Sequence, residues 1–168
     1  MRVLGVDPGV ATTGYGLLEG PADEARLVTS GVVTTPSTFS LAERLLAVHN
    51  ELAALIARYR PQAAAVEELF FGRNARTALA VGHGRGVVLL TLAQAGLEVY
   101  EYTPMQVKQA VVGYGRAGKE QVQEMVRMLL RLDAVPQPDD AADAVAVALC
   151  HLQSVRLNAL LGGTKDRE

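Results

Sequence analysis

The sequence has one cysteine, Cys150, and no stretch of about 18 apolar residues that is free of charges or of an interrupting pair of glycines. A single cysteine cannot close a disulfide within the chain, and the N-terminal residues do not have the pattern of a secretion signal. We therefore expect a cytoplasmic protein that does not contact a membrane. The sequence also lacks a glycine-rich phosphate loop with a lysine, which disfavours a nucleotide-driven motor.

The chain is long enough to form one hydrophobic core. Its 168 residues are 49% hydrophobic and 20% charged, which is typical of a globular protein. A compact monomer of this size buries about 69% of the surface of its unfolded chain. No repeat or linker divides the sequence, so we expect one domain over residues 1–161 and a disordered tail over residues 162–168.

The charge is distributed unevenly along the chain. The net charge of −2 argues against a general polyanion binder. Between Leu69 and Arg131, however, eight basic residues accompany only four acidic ones. Such a basic segment is typical of a surface that contacts a phosphate backbone, although solvated helix faces also produce local excesses of this kind.

Alternating apolar runs and turn residues predict a mixed α/β fold. Five strands are expected, over residues 1–6, 15–18, 27–33, 63–66 and 97–102. Between the third and fourth strands, Ser40 and Glu43 form a capping box that opens a helix, and Pro61 ends it. The crossover makes the fourth strand a parallel neighbour of the first. Further helices are expected over residues 74–95, after Thr103, over residues 119–132 and from Asp139, and they cover both faces of the sheet.

Two acidic residues follow strands that should be neighbours. Asp7 comes after the first strand and before a Pro-Gly turn, and Glu67 comes after the fourth strand. Ligand crevices of open α/β sheets form at the carboxyl ends of strands. If the two strands pair, the two carboxylates lie about one strand spacing, ~4.8 Å, apart.

Two more carboxylates share a face of the last helix. Asp140 and Asp143 are three residues apart in an otherwise apolar sequence. Carboxylates brought together without basic partners repel and raise one another's pKa, and a divalent cation would resolve that conflict. Four carboxylates suit two Mg²⁺ or Mn²⁺ ions about 3.5 to 4 Å apart, as in phosphoryl transfer enzymes. Alternatively, Asp139 and Asp140 only cap a helix, while Asp7 and Glu67 only end strands in solvent.

Several collinear segments resemble the RuvC family of Holliday junction resolvases. They are Gly5-Val6-Asp7-Pro8-Gly9, Thr13-Gly14-Tyr15-Gly16, Val66-Glu67-Glu68-Leu69-Phe70, Gln106-Val107-Lys108-Gln109, Gly118-Lys119 and Asp140-Ala141-Ala142-Asp143-Ala144. The resemblance covers almost the whole chain and implies an RNase H-like fold. It also implies a homodimer that cleaves four-way DNA junctions by paired symmetric nicks in recombination and repair, with two Mg²⁺ or Mn²⁺ ions per subunit. The branch-migration proteins RuvA and RuvB would be its partners.

The resemblance also assigns site residues. Asp7, Glu67, Asp140 and Asp143 match the family's four acidic residues, which are catalytic and bind the metal. The doubled Asp139-Asp140 leaves the third acid ambiguous, and Asp140 is chosen because its spacing to Asp143 matches. Basic residues matching Lys108 and Lys119 lie near the scissile phosphate, with Lys119 also counted as catalytic, and an aromatic matching Phe70 stacks on a base.

Other residues near Phe70 are candidates for DNA contact because basic residues beside aromatics favour stacking on unpaired bases. These residues are Arg73, Asn74 and Arg76. Phe71 is expected in the core, and Lys119 by itself could be an ordinary solvated lysine. His49 and His151 are interpreted as structural, and Cys150 as a small core residue.

Gly82, Gly84 and Gly86 interrupt a long helix of low charge, where each glycine costs about 1 kcal/mol relative to alanine. Close approach of another helix, within the fold or across a dimer, is expected to compensate, and the resemblance favours this helix for the two-fold interface.

Three other functions remain open from the sequence. The chain could be a non-catalytic scaffold that binds junctions, or a nuclease that acts on RNA or RNA:DNA hybrids. The Asp-Pro-Gly after the first strand also resembles the phosphate loop of sugar kinases and actin-like ATPases. Those proteins pair two lobes of this type, and 168 residues hold one.

Overall fold

The computed structural model describes residues 1–68 and 75–162. The elements follow one another in the order β1 (Arg2–Asp7), β2 (Thr12–Glu19), β3 (Arg26–Thr34), α1 (Leu41–Tyr59), β4 (Ala63–Glu67), α2 (Ala75–Gln94), β5 (Glu98–Tyr102), α3 (Pro104–Val112), α4 (Lys119–Leu129) and α5 (Asp139–Gly162). Every strand and helix expected from the sequence is present. Gly162, assigned to the tail, is the last residue of α5, and residues 163–168 lie outside the described part, so the tail stays a prediction.

The five strands form one mixed sheet with the order β3-β2-β1-β4-β5. Strands β1, β2 and β3 pair in antiparallel fashion, whereas β1, β4 and β5 run parallel. Strand β4 therefore lies beside β1, as the helical crossover predicts. This arrangement confirms the expected α/β class and the five-stranded mixed sheet.

Local signals fix the ends of the helices. The Ser40 side chain accepts a hydrogen bond from the Glu43 amide, and the Glu43 carboxylate accepts one from the Ser40 amide. Thr103 and Gln106 form the same reciprocal pair at the start of α3. Because these caps satisfy amides that have no partner inside the helix, they define where α1 and α3 begin.

The sheet separates two hydrophobic cores. On one face, α1 and α2 bury side chains such as Leu52 and Leu92 against Leu4 and Val6 of β1. On the other face, the helices α3, α4 and α5 pack with Val3, which points the opposite way along the same strand. Helices therefore cover both faces of the sheet, as expected.

Helix α5 lies directly on the sheet where three glycines face it. A Cβ atom at Gly5 or Gly14 would overlap a backbone carbonyl oxygen of α5, that of Ala144 or Asp140, and a Cβ at Gly16 would overlap Val145. Gly5 and Gly16 are register partners in the β1–β2 ladder, and Gly14 is the partner of Asp7. The missing side chains let the backbone of α5 approach β1 and β2 within van der Waals contact.

By length and composition alone, α5 could cross a membrane, since an 18-residue window in it has a mean hydropathy of 1.4. Its apolar sequence is nevertheless interrupted by a charged residue, Arg156. Half of the window is buried inside the protein, and side chains such as Val145 and Leu149 are fully buried against the sheet. These are the properties of a core helix.

The glycines of α2 differ from one another in their surroundings. A Cβ at Gly84 would press on the backbone of Gly9, so this glycine allows α2 to approach the β1–β2 turn. A Cβ at Gly82 or Gly86 would meet no atom of another described part of the chain within 4 Å. The expected close approach within the fold is thus found at Gly84 alone among the three.

We predict that Gly14→Ala destabilises the protein by about 2 kcal/mol or more, because the added methyl group must displace the backbone of α5. Gly31→Ala is a matched control in the neighbouring strand, since its Cβ would meet mainly the end of the Tyr15 side chain, which can move. Urea denaturation of both variants measures the difference. Equal stability of the two variants would show that the glycines facing α5 do not govern its approach.

Candidate active site

Adjacent parallel strands bring the first two acidic residues together. The register of β1 and β4 pairs Val6 with Val66, so Asp7 and Glu67 both lie one step beyond this pair at the carboxyl edge of the sheet. Their side chains hydrogen bond to each other. The contact expected from the strand order is therefore present in the structure.

Helix α5 adds two carboxylates to the same edge. One oxygen each from Asp7, Asp140 and Asp143 lie within 4.8 Å of one another. Glu67 joins this group through its hydrogen bond to Asp7 and through the charge of Asp143. We call these four residues the acidic cluster. The structure thus brings together the four acids that the sequence selected, from β1, β4 and α5.

Burial and crowding strongly perturb Asp7. Burial first, and then the charges of Glu67 and Asp143, raise the pKa of Asp7 from 3.8 to about 8. The hydrogen bond between the two raises the pKa of Asp7 and opposes the rise at Glu67, so the two carboxyl groups share a proton. Without a cation, the acidic cluster therefore keeps a proton close to neutral pH.

Lysines partly compensate the other carboxylates. Burial and the charge of Asp143 raise the pKa of Glu67, while the charges of Lys119 and Lys108 oppose that rise. Burial also raises the pKa of Asp143, and the ammonium of Lys119 opposes it. The acidic cluster therefore has too little positive charge nearby to ionise fully.

The acidic cluster fits a hard divalent cation. Its donors are all carboxylate oxygens, the ligands that Mg²⁺ and Mn²⁺ prefer, and three of them already converge. A cation would also replace the shared proton and offset the repulsion that burial intensifies. Beside the acidic cluster lies a cleft of about 220 Å³, whose walls include Glu67, Asp143, Lys108 and Lys119. Both lysines therefore add positive charge to the walls of this cleft.

Lys119 contacts two carboxylates of α5. Its Nζ lies 3.0 Å from Oδ2 of Asp143 and 3.4 Å from Oδ2 of Asp139. Burial acts to lower the pKa of Lys119, but the hydrogen bonds and charges of Asp143 and Asp139 outweigh it and raise that pKa. Lys119 is therefore half exposed but paired with two carboxylates, and its role at a phosphate stays a prediction.

The two adjacent aspartates at the start of α5, Asp139 and Asp140, have different neighbours. Asp140 faces Asp7 and Asp143 in the acidic cluster. Asp139 is exposed and instead accepts a hydrogen bond of 3.1 Å from the Nε2 of Gln123. Its position outside the three converging acids supports the choice of Asp140 as the third acid.

The other candidates for DNA contact lie on or before α2. Phe70, Arg73 and Asn74 are outside the described residues, as is Phe71, so their assignments stay predictions. Arg76 is exposed near the start of α2. Part of the basic segment is compensated locally, because Arg85 pairs with Glu101 and Arg127 with Glu124. Both acids belong to the same segment, so these pairs leave its excess of positive charge unchanged.

Residues interpreted as structural make contacts that fit such a role. His49 hydrogen bonds to Thr91 of α2 at 2.8 Å, and the buried His151 bonds to the Tyr102 hydroxyl at 2.8 Å. Cys150 is buried, and burial raises the pKa of its thiol to about 12, so the thiol stays protonated. Sequence reasoning missed Gln123, whose only signal is its position one helical turn after Lys119.

Comparison with known proteins adds to this geometry. Residues 3–151 match the family described as Crossover junction endodeoxyribonuclease RuvC. The relative of that name from Roseiflexus sp. (strain RS-1) is 63% identical over 150 residues, which are 89% of each chain. The one from Ruminiclostridium cellulolyticum is 51% identical over 165 residues, covering 98% of this chain and 99% of the relative.

A solved structure shares both the sequence pattern and the fold. The structure described as T. thermophilus RuvC in complex with Holliday junction substrate is 43% identical, with a TM-score of 0.90. The match covers 94% of this chain and 96% of the other. The chain belongs to the crossover junction endodeoxyribonuclease RuvC family, and it is a metal-dependent nuclease.

Proposed function

We propose that the protein resolves four-way DNA junctions by paired symmetric nicks, in homologous recombination and DNA repair. The observation that carries this proposal is the convergence of Asp7, Glu67, Asp140 and Asp143 at one edge of an RNase H-like sheet. The relative from T. thermophilus, which has the same fold, is described with a Holliday junction substrate. Four intact acids argue against a non-catalytic scaffold.

The acidic cluster would hold two Mg²⁺ or Mn²⁺ ions in each subunit. Asp7 lies at the centre of this site because it contacts Glu67 and converges with Asp140 and Asp143. When bound, such ions lower the pKa of an attacking water and stabilise the departing 3′ oxygen, which leaves 5′-phosphate and 3′-hydroxyl ends. The four carboxylates of the acidic cluster would hold these ions in place.

The lysines beside the acidic cluster would bind the scissile phosphate. Lys108 on α3 and Lys119 on α4 both line the cleft that contains Glu67 and Asp143. Lys119 is the first residue of α4, so the free amides of that helix add positive potential at the same place. Phe70, Arg73, Asn74 and Arg76 would contact DNA next to the branch point, with Phe70 stacking on a base.

Two such sites require a homodimer, which we place on the exposed face of α2. Leu79 and Leu90 are three helical turns apart on one face and are 63% and 56% exposed. Gly82 and Gly86 lie between them, and a Cβ atom at either would meet no atom of another described part of the chain within 4 Å. This face suits a two-fold contact that sets the two sites on different strands of a junction. RuvA and RuvB as partners, and a cytoplasmic location, stay predictions from the sequence and the resemblance.

We predict that Asp143→Asn lowers the cleavage rate of a mobile synthetic junction by about a thousandfold or more in Mg²⁺, because the acidic cluster loses a ligand. Junction binding should persist. Gel mapping of the nicks, with Asp133→Asn as a control that removes an exposed charge in a turn, measures both effects. Nicking at the normal rate by Asp143→Asn, or preference for RNA:DNA hybrids over junctions in the unmodified protein, would contradict the proposed function.

We predict that Asp7→Asn stabilises the metal-free protein at pH 8. Because the pKa of Asp7 is raised to about 8 in the folded state, its contribution to stability is largest below its unfolded value of 3.8 and is lost as the pH rises through about 8. In EDTA the substitution should raise the Tm by roughly 10 °C at pH 8, with little change at pH 4. Thermal unfolding should also show that Mg²⁺ stabilises the unmodified protein more than the variant. A lower Tm for the variant at pH 8 would refute this account of Asp7.

We predict that the double substitution Leu79→Glu with Leu90→Glu converts the dimer into monomers, since it places charges in an apolar contact. Leu160→Glu, at an equally exposed leucine near the end of α5, is the matched control. Analytical ultracentrifugation reports the oligomeric state, and the monomer should make unpaired nicks. A double variant that remains dimeric would exclude this face of α2.

A further inference from the structure

Two pairs of residues meet between α4 and α5. Lys119 and Gln123 are four residues apart on α4, and Asp139 and Asp143 are four residues apart on α5, so each pair shares a helix face. The ammonium of Lys119 lies between the two carboxylates, 3.0 Å from Asp143 and 3.4 Å from Asp139. Gln123 donates a hydrogen bond to the other oxygen of Asp139. The contacts form a continuous row across the two helices.

The two carboxylates that share Lys119 differ in their surroundings. The Asp143 side chain is 26% exposed and belongs to the acidic cluster, whereas that of Asp139 is 58% exposed and lies outside the three converging acids. Gln123 restricts the orientation of Asp139 and leaves the oxygen that faces Lys119 available. Asp139 therefore offers Lys119 a partner that a cation held by the acidic cluster does not use.

A cation held by Asp143 would compete with Lys119 for the same carboxylate. Two positive groups on one carboxylate repel each other, so the contact between Lys119 and Asp143 weakens once the acidic cluster is occupied. Lys119 has four flexible side-chain torsions, and without another partner it would move into solvent. The contact with Asp139 remains available in that state.

We propose that Asp139, oriented by Gln123, is a positioning residue that keeps the Lys119 ammonium at the rim of the occupied acidic cluster. The proposal rests on the proposed function, in which Lys119 binds the scissile phosphate. It gives Asp139 a role beyond favourable interaction with the start of α5, where a carboxylate also stabilises the helix. A residue that acts only on the helix changes stability, whereas a positioning residue acts through Lys119.

A double-mutant cycle separates these two roles. Asp139→Asn should slow single-turnover cleavage of a synthetic junction in Mg²⁺ by about fivefold, because it removes the charge that holds Lys119. In a Lys119→Ala background the same substitution should have no further effect. Asp139→Glu should recover most of the rate, and Gln123→Ala should slow cleavage in the same direction by a smaller factor. Asp133→Asn, which removes a charge from an exposed turn, should leave the rate unchanged.

Two measurements do not depend on cleavage. The first is the midpoint of a Mg²⁺ titration, which is the Mg²⁺ concentration that gives half of the increase in Tm. Asp139→Asn should keep this midpoint within about twofold of that of the unmodified protein, because Asp139 is not expected to be a ligand. Asp143→Asn should raise the midpoint. The Nζ–H signal of Lys119, assigned by its loss in Lys119→Ala, should remain detectable by NMR in Mg²⁺ and disappear in Asp139→Asn. This signal reports the position of the ammonium directly.

Three results would overturn the inference. The first is that Asp139→Asn slows cleavage equally with and without Lys119. The second is that Asp139→Asn raises the Mg²⁺ midpoint as far as Asp143→Asn does. The third is that the NMR signal of Lys119 survives in Asp139→Asn. A different result would contradict the proposed function, namely that the unmodified protein does not cut junctions. In that case the Mg²⁺ titration and the NMR signal still decide whether Asp139 holds Lys119.

Discussion

The close contact of α5 with β1 and β2 determines the site. Gly5, Gly14 and Gly16 leave no side chain between the strands and the helix backbone. A Cβ atom at any of the three would overlap atoms of α5. The helix therefore lies close to the strands, so that Asp140 and Asp143 reach the edge where β1 ends at Asp7. A methyl group at this contact would move the carboxylates relative to one another as well as loosen the packing.

The same contact supports an arrangement that is unfavourable in the absence of cations. Burial and neighbouring carboxylates hold the pKa of Asp7 near 8, so ionising the acidic cluster at neutral pH opposes folding. Much of the rest of α5 is buried, and it joins the core formed with α3 and α4. Apolar packing along this helix therefore offsets electrostatic repulsion at its start. Functional sites are typically destabilising locally, and the surrounding core compensates for the lost stability.

The sequence predicts the elements because their signals are local. Capping boxes at Ser40 and Thr103, and the proline that follows α1, act within a few residues of the boundaries that they define. The helix between β3 and β4 implied a crossover, which suggested that β4 lies parallel to β1, so the neighbouring positions of Asp7 and Glu67 were also predicted. Composition, by contrast, did not reveal the ion pairs that compensate Arg85 and Arg127, because pairing depends on which residues meet in space.

What the sequence could not predict depends on how elements pack. In the sequence, the glycines facing α5 look like any other glycines in strands. Their role is visible only in the structure, where Gly5 pairs with Gly16 and α5 packs on both. Similarly, the contacts of Lys119 and Gln123 require the relative position of α4 and α5, which no local pattern encodes.

The charges at the site explain why both lysines lie at its edge and not within it. Two ammonium groups, those of Lys108 and Lys119, face four carboxylates, and Lys119 is shared with Asp139 outside the acidic cluster. A lysine at the centre would neutralise the carboxylates and displace the cations that the reaction needs. At the edge, the lysines leave the acidic cluster short of positive charge and line the cleft beside it. The deficit favours divalent cations, and in the proposed function the same lysines would then attract the phosphate, so one arrangement would serve both binding steps.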